Sequence, residues 1–282
     1  MGTSSRRVFA VSGSALLALA FAAPAVAQDA DYLQRIQDAG VMRMSTDPAY
    51  PPQSQLVGGE IVGFDIDVGR EIATRLGVDL ALETPDWSLI TAGSWGQRWD
   101  FSVGSMTITS KRQEVLDFTQ PYYFTPAQMA AHADAGIETL DDLAGKTICM
   151  GEATTYLEWM NGTLDFGTES PDTVPPEGSS AVTRLTDRDC AQEWGMGRRD
   201  FDGWLTSSST VARAIADGLP IVAVGEPVFY EPLAAAFDNT IEDNDSLVVA
   251  VDAIIGEMHE DGTLTSFSVS WFGEDLTKRV DE

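Results

Sequence analysis

Positive charge is what this 282-residue chain has least of. Its 17 Lys and Arg residues stand against 44 Asp and Glu, giving a formal charge of −27 and a pI near 4.1, and only three residues are Lys. That balance excludes a general nucleic-acid role, which needs a basic surface to displace counterions from phosphate. It also argues against docking on anionic lipid. The acid is read as a solvated surface. Its long-range field opposes anionic ligands, so a carboxylate-bearing ligand has to be held by a local Arg. Histidine is scarcer still: His132 and His259 lie far apart with no Cys/His cluster, and no metal is expected. The chain has no Ser/His/Asp triad pattern, Cys nucleophile motif, GxSxG or phosphate loop, and no fixed-period repeat or heptad. No cofactor is expected.

Long apolar runs are lacking except at the start. Arg6 and Arg7 precede VFAVSGSALLALAFAA, and Ala25-Val26-Ala27 offers a small-residue cleavage site, so residues 1–27 read as a signal peptide. The run is too short and small-sided for a membrane span. Ser5-Arg6-Arg7-Val8-Phe9 fits a twin-arginine signal, and an ordinary secretory signal with two arginines is the alternative. No Cys follows the cleavage site, so no lipid anchor is expected; the mature protein is expected to be soluble in a Gram-negative periplasm. Cysteine is limited to Cys149 and Cys190, which in an exported chain read as a disulfide, two buried thiols being the alternative.

What is present is alternation. ADYLQRIQDAG reads as a helix stopped by Gly40, and VMRMSTD as a strand running into Pro48-Ala49-Tyr50-Pro51-Pro52. Asp65 suits a helix N-cap; Val68, Ile72 and Leu76 recur every four residues before Gly77 stops the helix. VDLALET, WDFSVGSM, TICMG, DFDGWL and LPIVAVG read as strands. Helices are expected at Trp87–Ala92, from Thr154-Thr155 through TYLEWMNG, over Asp187–Met196, at TVARAIADG capped by Ser208 or Ser209, and at LVVAVDAIIGEMHEDG and TLTSFSVSWFG. Residues 115–131 read as a crossover, and 170–181 as an exposed loop. Strand and helix in alternation predict an α/β fold with a mainly parallel sheet.

The richest stretch is WDFSVGSMTITSKRQEVLDFTQPYY, residues 99–123. A buried-looking strand ends in Ser105, Met106 and Thr107, and Arg112 follows. Arg presents a planar fork of donors that matches a carboxylate, and nearby hydroxyls complete the cradle. With STDPAYPP at 45–52, GFDIDVGREIATRLG at 63–77 and EMHEDGTLTSF at 257–267, the segment resembles the periplasmic solute-binding proteins of polar amino-acid ABC importers, family 3 of the bacterial extracellular solute-binding proteins. The blocks follow the family's order over most of the chain.

That resemblance implies a type II periplasmic binding fold. Lobe 1 takes residues 28–131 plus 229–282, lobe 2 takes 132–228, and a two-strand hinge joins them. It implies a monomer that closes on a small zwitterionic ligand and delivers it to ABC permease subunits in the inner membrane. Tyr50 and Trp87 match the aromatics that stack on the ligand. Arg112 matches the carboxylate clamp, with a surface salt bridge to Glu114 or Asp117 as the plain alternative. Ser105, Met106, Thr107, Thr154, Thr155 and Glu231 complete the expected site. The Cys149–Cys190 pairing also fits some relatives. One departure stands out. After RRDFDGW the family carries an Asp for the ligand ammonium, and here the chain continues Leu205-Thr206-Ser207-Ser208. Asp202, Glu231 or Glu152 could substitute, or the cation could rest on Trp87, Trp204 or Trp159. Betaine-like and ectoine-like solutes therefore join amino acids as candidate ligands. The competing classes are a periplasmic dehydratase of prephenate or arogenate type, with Glu152 or Glu231 as the acid, and a ligand sensor for a chemoreceptor or kinase.

Overall fold

The computed structural model describes residues 1–2, 31–167 and 171–278. Beyond its first two residues, the expected signal segment lies outside the described residues, as do residues 168–170 of the expected loop. Asp31–Glu282 forms one compact unit. In chain order it holds α1 (Tyr32–Ala39), β1 (Val41–Ser45), β2 (Ala49–Tyr50), β3 (Ser54–Val57), β4 (Glu60–Val62), α2 (Phe64–Leu76), β5 (Asp79–Glu83), α3 (Trp87–Thr91), β6 (Phe101–Thr107), α4 (Ser110–Gln113) and β7 (Leu116–His132). Then come β8 (Thr147–Gly151), α5 (Thr155–Met160), β9 (Ser180–Arg184), α6 (Asp187–Gly195), β10 (Gly203–Ser207), α7 (Ser208–Ala216), β11 (Ile221–Asp238), α8 (Asp245–Glu260) and α9 (Thr263–Phe272). No helix among the described residues is long and apolar enough to cross a membrane.

Eight strands make one sheet in the order β5-β1-β6-β11-β7-β10-β8-β9, and β2-β3-β4 make a small antiparallel one. The outer pairs β1–β5, β1–β6, β8–β10 and β8–β9 are parallel; β7 and β11 pair antiparallel in the middle. These two strands, 17 and 18 residues long, run through both sides of the molecule. The stretch read as a crossover is thus one long strand. Each side is apolar on both faces of its sheet. On β7, Ala127, Met129 and Ala131 enter one core and Ala130 another, the period-two alternation of a strand buried on both faces. On the first side, Phe64, Tyr122 and Phe237 pack under α2, α8 and α9, and Trp95, Met106 and Leu116 fill the opposite face.

Local signals placed most ends. Asp31 caps α1 by accepting from the Gln34 N–H at 2.9 Å, and Gly40 and Gly77 end α1 and α2 in the left-handed conformation. Three expectations are corrected. The N-cap of α2 is Gly63, not Asp65; a Cβ at 63 would stand 2.1 Å from the Gln53 carbonyl oxygen, so glycine is required where the chain passes β3. Ser207, not Ser208 or Ser209, caps α7, its hydroxyl accepting from the Thr210 N–H at 3.2 Å. The end of the expected loop is β9, which adds to the sheet edge through β8 although its own burial is slight. The disulfide joins Cys149 of β8 to Cys190 of α6.

Candidate cleft between the two sides

Strand ends β1, β6 and β8 and the starts of α5 and α6 meet around a cleft enclosing about 50 Å³. That holds only a few waters, and hydrogen bonds cross between the sides, Gln53 Nε2 donating to Ser209 Oγ at 2.8 Å and Arg112 Nη2 to the Ala153 carbonyl at 3.1 Å.

The first side brings the donor. Thr109 caps α4 by accepting from the Arg112 N–H at 3.2 Å, and this places Arg112 beneath the end of β6. The guanidinium is 4% exposed. It donates through Nη1 to the Thr107 carbonyl at 3.0 Å and through Nη2 to the Ala153 carbonyl at 3.1 Å, with Cζ 5.6 Å above the Trp87 ring. No salt bridge to Glu114 or Asp117 forms. Burial pushes the Arg112 pKa down.

Ser105 stands beside it with φ +55°, a left-handed conformation that side chains other than glycine rarely take. A buried network holds it there. Ser105 Oγ donates to Asp65 Oδ2 at 2.7 Å and lies 2.6 Å from the Tyr123 hydroxyl. The Ser105 N–H donates to the Tyr122 oxygen at 2.9 Å, and the Tyr122 hydroxyl donates to Asp65 Oδ1 at 2.7 Å. Loss of water pushes the Asp65 carboxyl up to about 7. Asp65 is therefore an anchor of the loop, which its helix-start position had disguised.

The second side brings one acceptor, and the long strand β11 that runs through both sides brings another. Asp187, the first residue of α6, is 7% exposed and lines the cleft. It accepts from the Gly151 N–H at 3.1 Å, the Trp204 indole at 3.4 Å and the Thr206 hydroxyl. Glu231, 2% exposed on β11, accepts from Thr107 Oγ1 at 2.7 Å, the Tyr156 hydroxyl at 2.8 Å and Thr155 Oγ1. Desolvation raises both carboxyls, Asp187 to about 7. Tyr50 completes the wall, its hydroxyl 3.1 Å from that of Tyr156.

The structure thus brings Tyr50, Trp87, Ser105, Thr107, Arg112, Thr154, Thr155 and Glu231 to one cleft. Thr154 is the α5 cap, and its hydroxyl donates to the Gly151 carbonyl at 2.8 Å. Met106 is not there: strand alternation turns it into the core with Ile90 and Trp95. Of the expected substitutes for the absent Asp, Glu231 and Glu152 line the cleft. Asp202 instead accepts from the Thr147 N–H at the far end of β8, 3.8 Å from Lys146. Trp204 and Trp159 are buried in cores, and Arg112 already sits over Trp87. Asp187 was missed. An acid in a first helical turn reads as a cap or dipole partner, and nothing local tells that β10 will carry Thr206 and Trp204 against it.

Two sides wound around one sheet, with a cleft at the strand ends, make a type II periplasmic binding fold. The chain belongs to the bacterial extracellular solute-binding proteins, family 3, whose model matches residues 42–274. It is 28% identical over 254 residues to the L-cystine-binding protein TcyJ of Escherichia coli (strain K12), covering 89% of each chain. It is 26% identical over 248 residues to the probable amino-acid-binding protein YxeM of Bacillus subtilis (strain 168), covering 86% of this chain and 87% of that one. Among solved structures, the ancestral amino acid-binding protein AncCDT-1, a precursor of cyclohexadienyl dehydratase, superposes with a TM-score of 0.72 at 25% identity, covering 85% of this chain and 99% of that one.

Proposed function

We propose that the chain is the periplasmic substrate-binding component of an ABC importer for amino acids or amino-acid-like zwitterions. The observation that carries this reading is Arg112: a buried guanidinium in a cleft, with only two of its N–H groups donating, both to carbonyls. Taking such a cation out of water is costly unless a carboxylate pairs with it. The cleft holds few waters, so a ligand enters with the sides apart and closure follows by bending β7 and β11. Lobe 1 is then 28–131 with 229–282, and lobe 2 is 132–228. Tyr50, Trp87, Ser105, Thr107, Thr154, Thr155 and Glu231 surround the ligand. Secretion through residues 1–27, a monomeric state and delivery to inner-membrane permease subunits belong to the same reading.

Betaine-like or ectoine-like ligands are the narrower version, for which Tyr50 and Tyr156 offer aromatic rings, the Trp87 ring being already taken by Arg112. A second reading, a dehydratase of the prephenate type, draws on Glu231, a buried carboxyl raised toward the range of a general acid. A thermal-shift screen over amino acids, betaines and ectoines, run beside a prephenate turnover assay, separates them. A tight ligand raises the melting temperature with the logarithm of its concentration. Turnover of prephenate with no stabilising amino acid rejects the binding reading.

A further inference from the structure

The charges buried around the cleft do not balance. Arg112 is the one guanidinium or ammonium among the cleft-lining residues, whereas Asp187 and Glu231 both line it and are both more than nine-tenths buried. Their partners are hydroxyls, an indole and one backbone N–H. Among the described residues no Lys, Arg or His lies within ion-pairing distance of either carboxylate. Asp47, half-buried at the rim, and Glu152 add to the surplus.

The hydroxyl protons point the same way. Thr107 and Thr155 each have one hydroxyl proton and give it to Glu231. What these hydroxyls still offer the cleft is lone pairs, which accept from a cation and cannot donate to an anion. The Gly151 N–H, the Trp204 indole and the Thr206 hydroxyl likewise all donate to the Asp187 carboxylate. A neutral zwitterion pairs its carboxylate with Arg112 and its cation with one acid, and the other acid then has only neutral donors and, for Glu231, the more distant Arg112 to offset its burial. A buried charge without a partner is strongly unfavourable.

We propose that Asp187 and Glu231 together select a ligand of net positive charge, a diamino or guanidino acid that presents one carboxylate to Arg112 and two cationic groups to the two acids, with Asp187 acting where Ser207 stands in place of a carboxylate. This deepens the amino-acid-binding reading and rests on it. Thr206 and Trp204 lie one and three residues before Ser207 on β10, so Asp187 reaches the same end of the strand from α6, on the face opposite the Ser207 side chain. The second carboxylate is supplied by β11, so the selecting acids come from two different elements.

The test is calorimetric titration of the purified full chain with L-arginine, L-citrulline and L-glutamine. Citrulline keeps the shape of arginine and replaces the guanidinium with a neutral urea. L-Arginine is expected to bind at least about tenfold tighter than L-citrulline, one decade in Kd. Asp187→Asn is expected to weaken arginine by about thirtyfold or more and to shrink the arginine-to-citrulline ratio. Should Asp187→Asn not fold by circular dichroism, Glu231→Gln and the wild-type ratio carry the same readout. Citrulline or glutamine binding as tightly as arginine overturns the charge selection and leaves amino-acid binding standing. Asp187→Asn weakening arginine and citrulline equally overturns the assignment of Asp187. Failure of every amino acid in a wide screen overturns both.

Discussion

The two walls of the cleft are built from the same kind of unit, a parallel strand end followed by a short helix, yet they carry opposite chemistry. On the first side, β6 and α4 present a guanidinium held by a hydroxyl cap and a buried Asp–Tyr–Ser network. On the second side, β8, β10 and α6 present a carboxylate held by an indole, a hydroxyl and a backbone N–H. The walls meet through several bonds, among them those of Gln53 to Ser207 and Ser209 and of Lys111 to Glu158. Ala153 of the second side accepts from both Arg112 and Trp87 of the first, and Tyr50 lies against Tyr156. On the proposed reading, closing the two sides completes the site, with Arg112 coming from one and Asp187 from the other.

The largest expected effect strikes the acid wall alone. The disulfide ties α6, which carries Asp187, to β8, which carries Gly151. It closes a loop of 41 residues, for which the chain-entropy model gives roughly 4 kcal/mol. Cys149→Ser/Cys190→Ser should lower stability by that order in denaturant titration and loosen α6 more than α4 in hydrogen exchange. Equal protection changes on both walls would show that the walls are not independent.

The donor wall is broken by Arg112→Ala. Leaving a ligand carboxylate desolvated and unpaired should cost about 2–5 kcal/mol of binding, while melting of the empty protein moves little. Unchanged affinity by calorimetry would remove Arg112 from the site.

The third prediction uses pH. Burial raises Asp65 and Asp187 to about 7 and raises Glu231 as well. Facing Asp65 are Ser105, Tyr122 and Tyr123; facing Asp187 are Thr206, Gly151, Trp204 and, through space, Asp47. A carboxyl whose folded pKa lies above its unfolded value binds more protons folded than unfolded between the two. Its contribution to stability is therefore present at low pH and lost as pH rises from about 4 to about 7. The empty protein should lose on the order of a few kcal/mol across that window, and Asp65→Asn should flatten part of the slope. A melting temperature that climbs steadily from pH 4 to 7 would contradict this. Asp142 and Asp261 work in the opposite sense at lower pH, because their hydrogen bonds hold them below the usual range.

The smallest effect sharpens the junction. Ala153 adopts φ +58° while its carbonyl bridges the walls. Ala153→Gly removes a left-handed penalty of about 1 kcal/mol and keeps the carbonyl. A modest rise in melting temperature is expected, and a clear fall would show that the side chain itself packs usefully.

Much of this was legible in the chain. The cysteine pair, 41 residues apart, was legible because the chain has no other cysteine. The alternation of strand and helix, the glycine stops at 40 and 77 and the hydroxyl-then-Arg segment each rest on neighbours within a few residues. Local rules reach that far. Ser207 as a cap and β9 were shifted or missed because a cap is chosen by where the strand before it ends, and β9 has an edge position with little apolar content.

What the sequence by itself determined is most of the elements and the donor wall, since Thr109 caps the turn that carries Arg112 three residues on. What only the tertiary structure decided is the fate of the acids. Asp65 meets Ser105 and Tyr122 at separations of 40 and 57 residues, Asp187 meets Gly151 across 36, and Glu231 meets Thr107 across 124. An acidic chain places most of its carboxylates in water, and their spelling is the same. Only packing removes the water from these three, which leaves Asp65 anchoring the Ser105 loop and puts Asp187 and Glu231 on the cleft, where the proposed reading uses them.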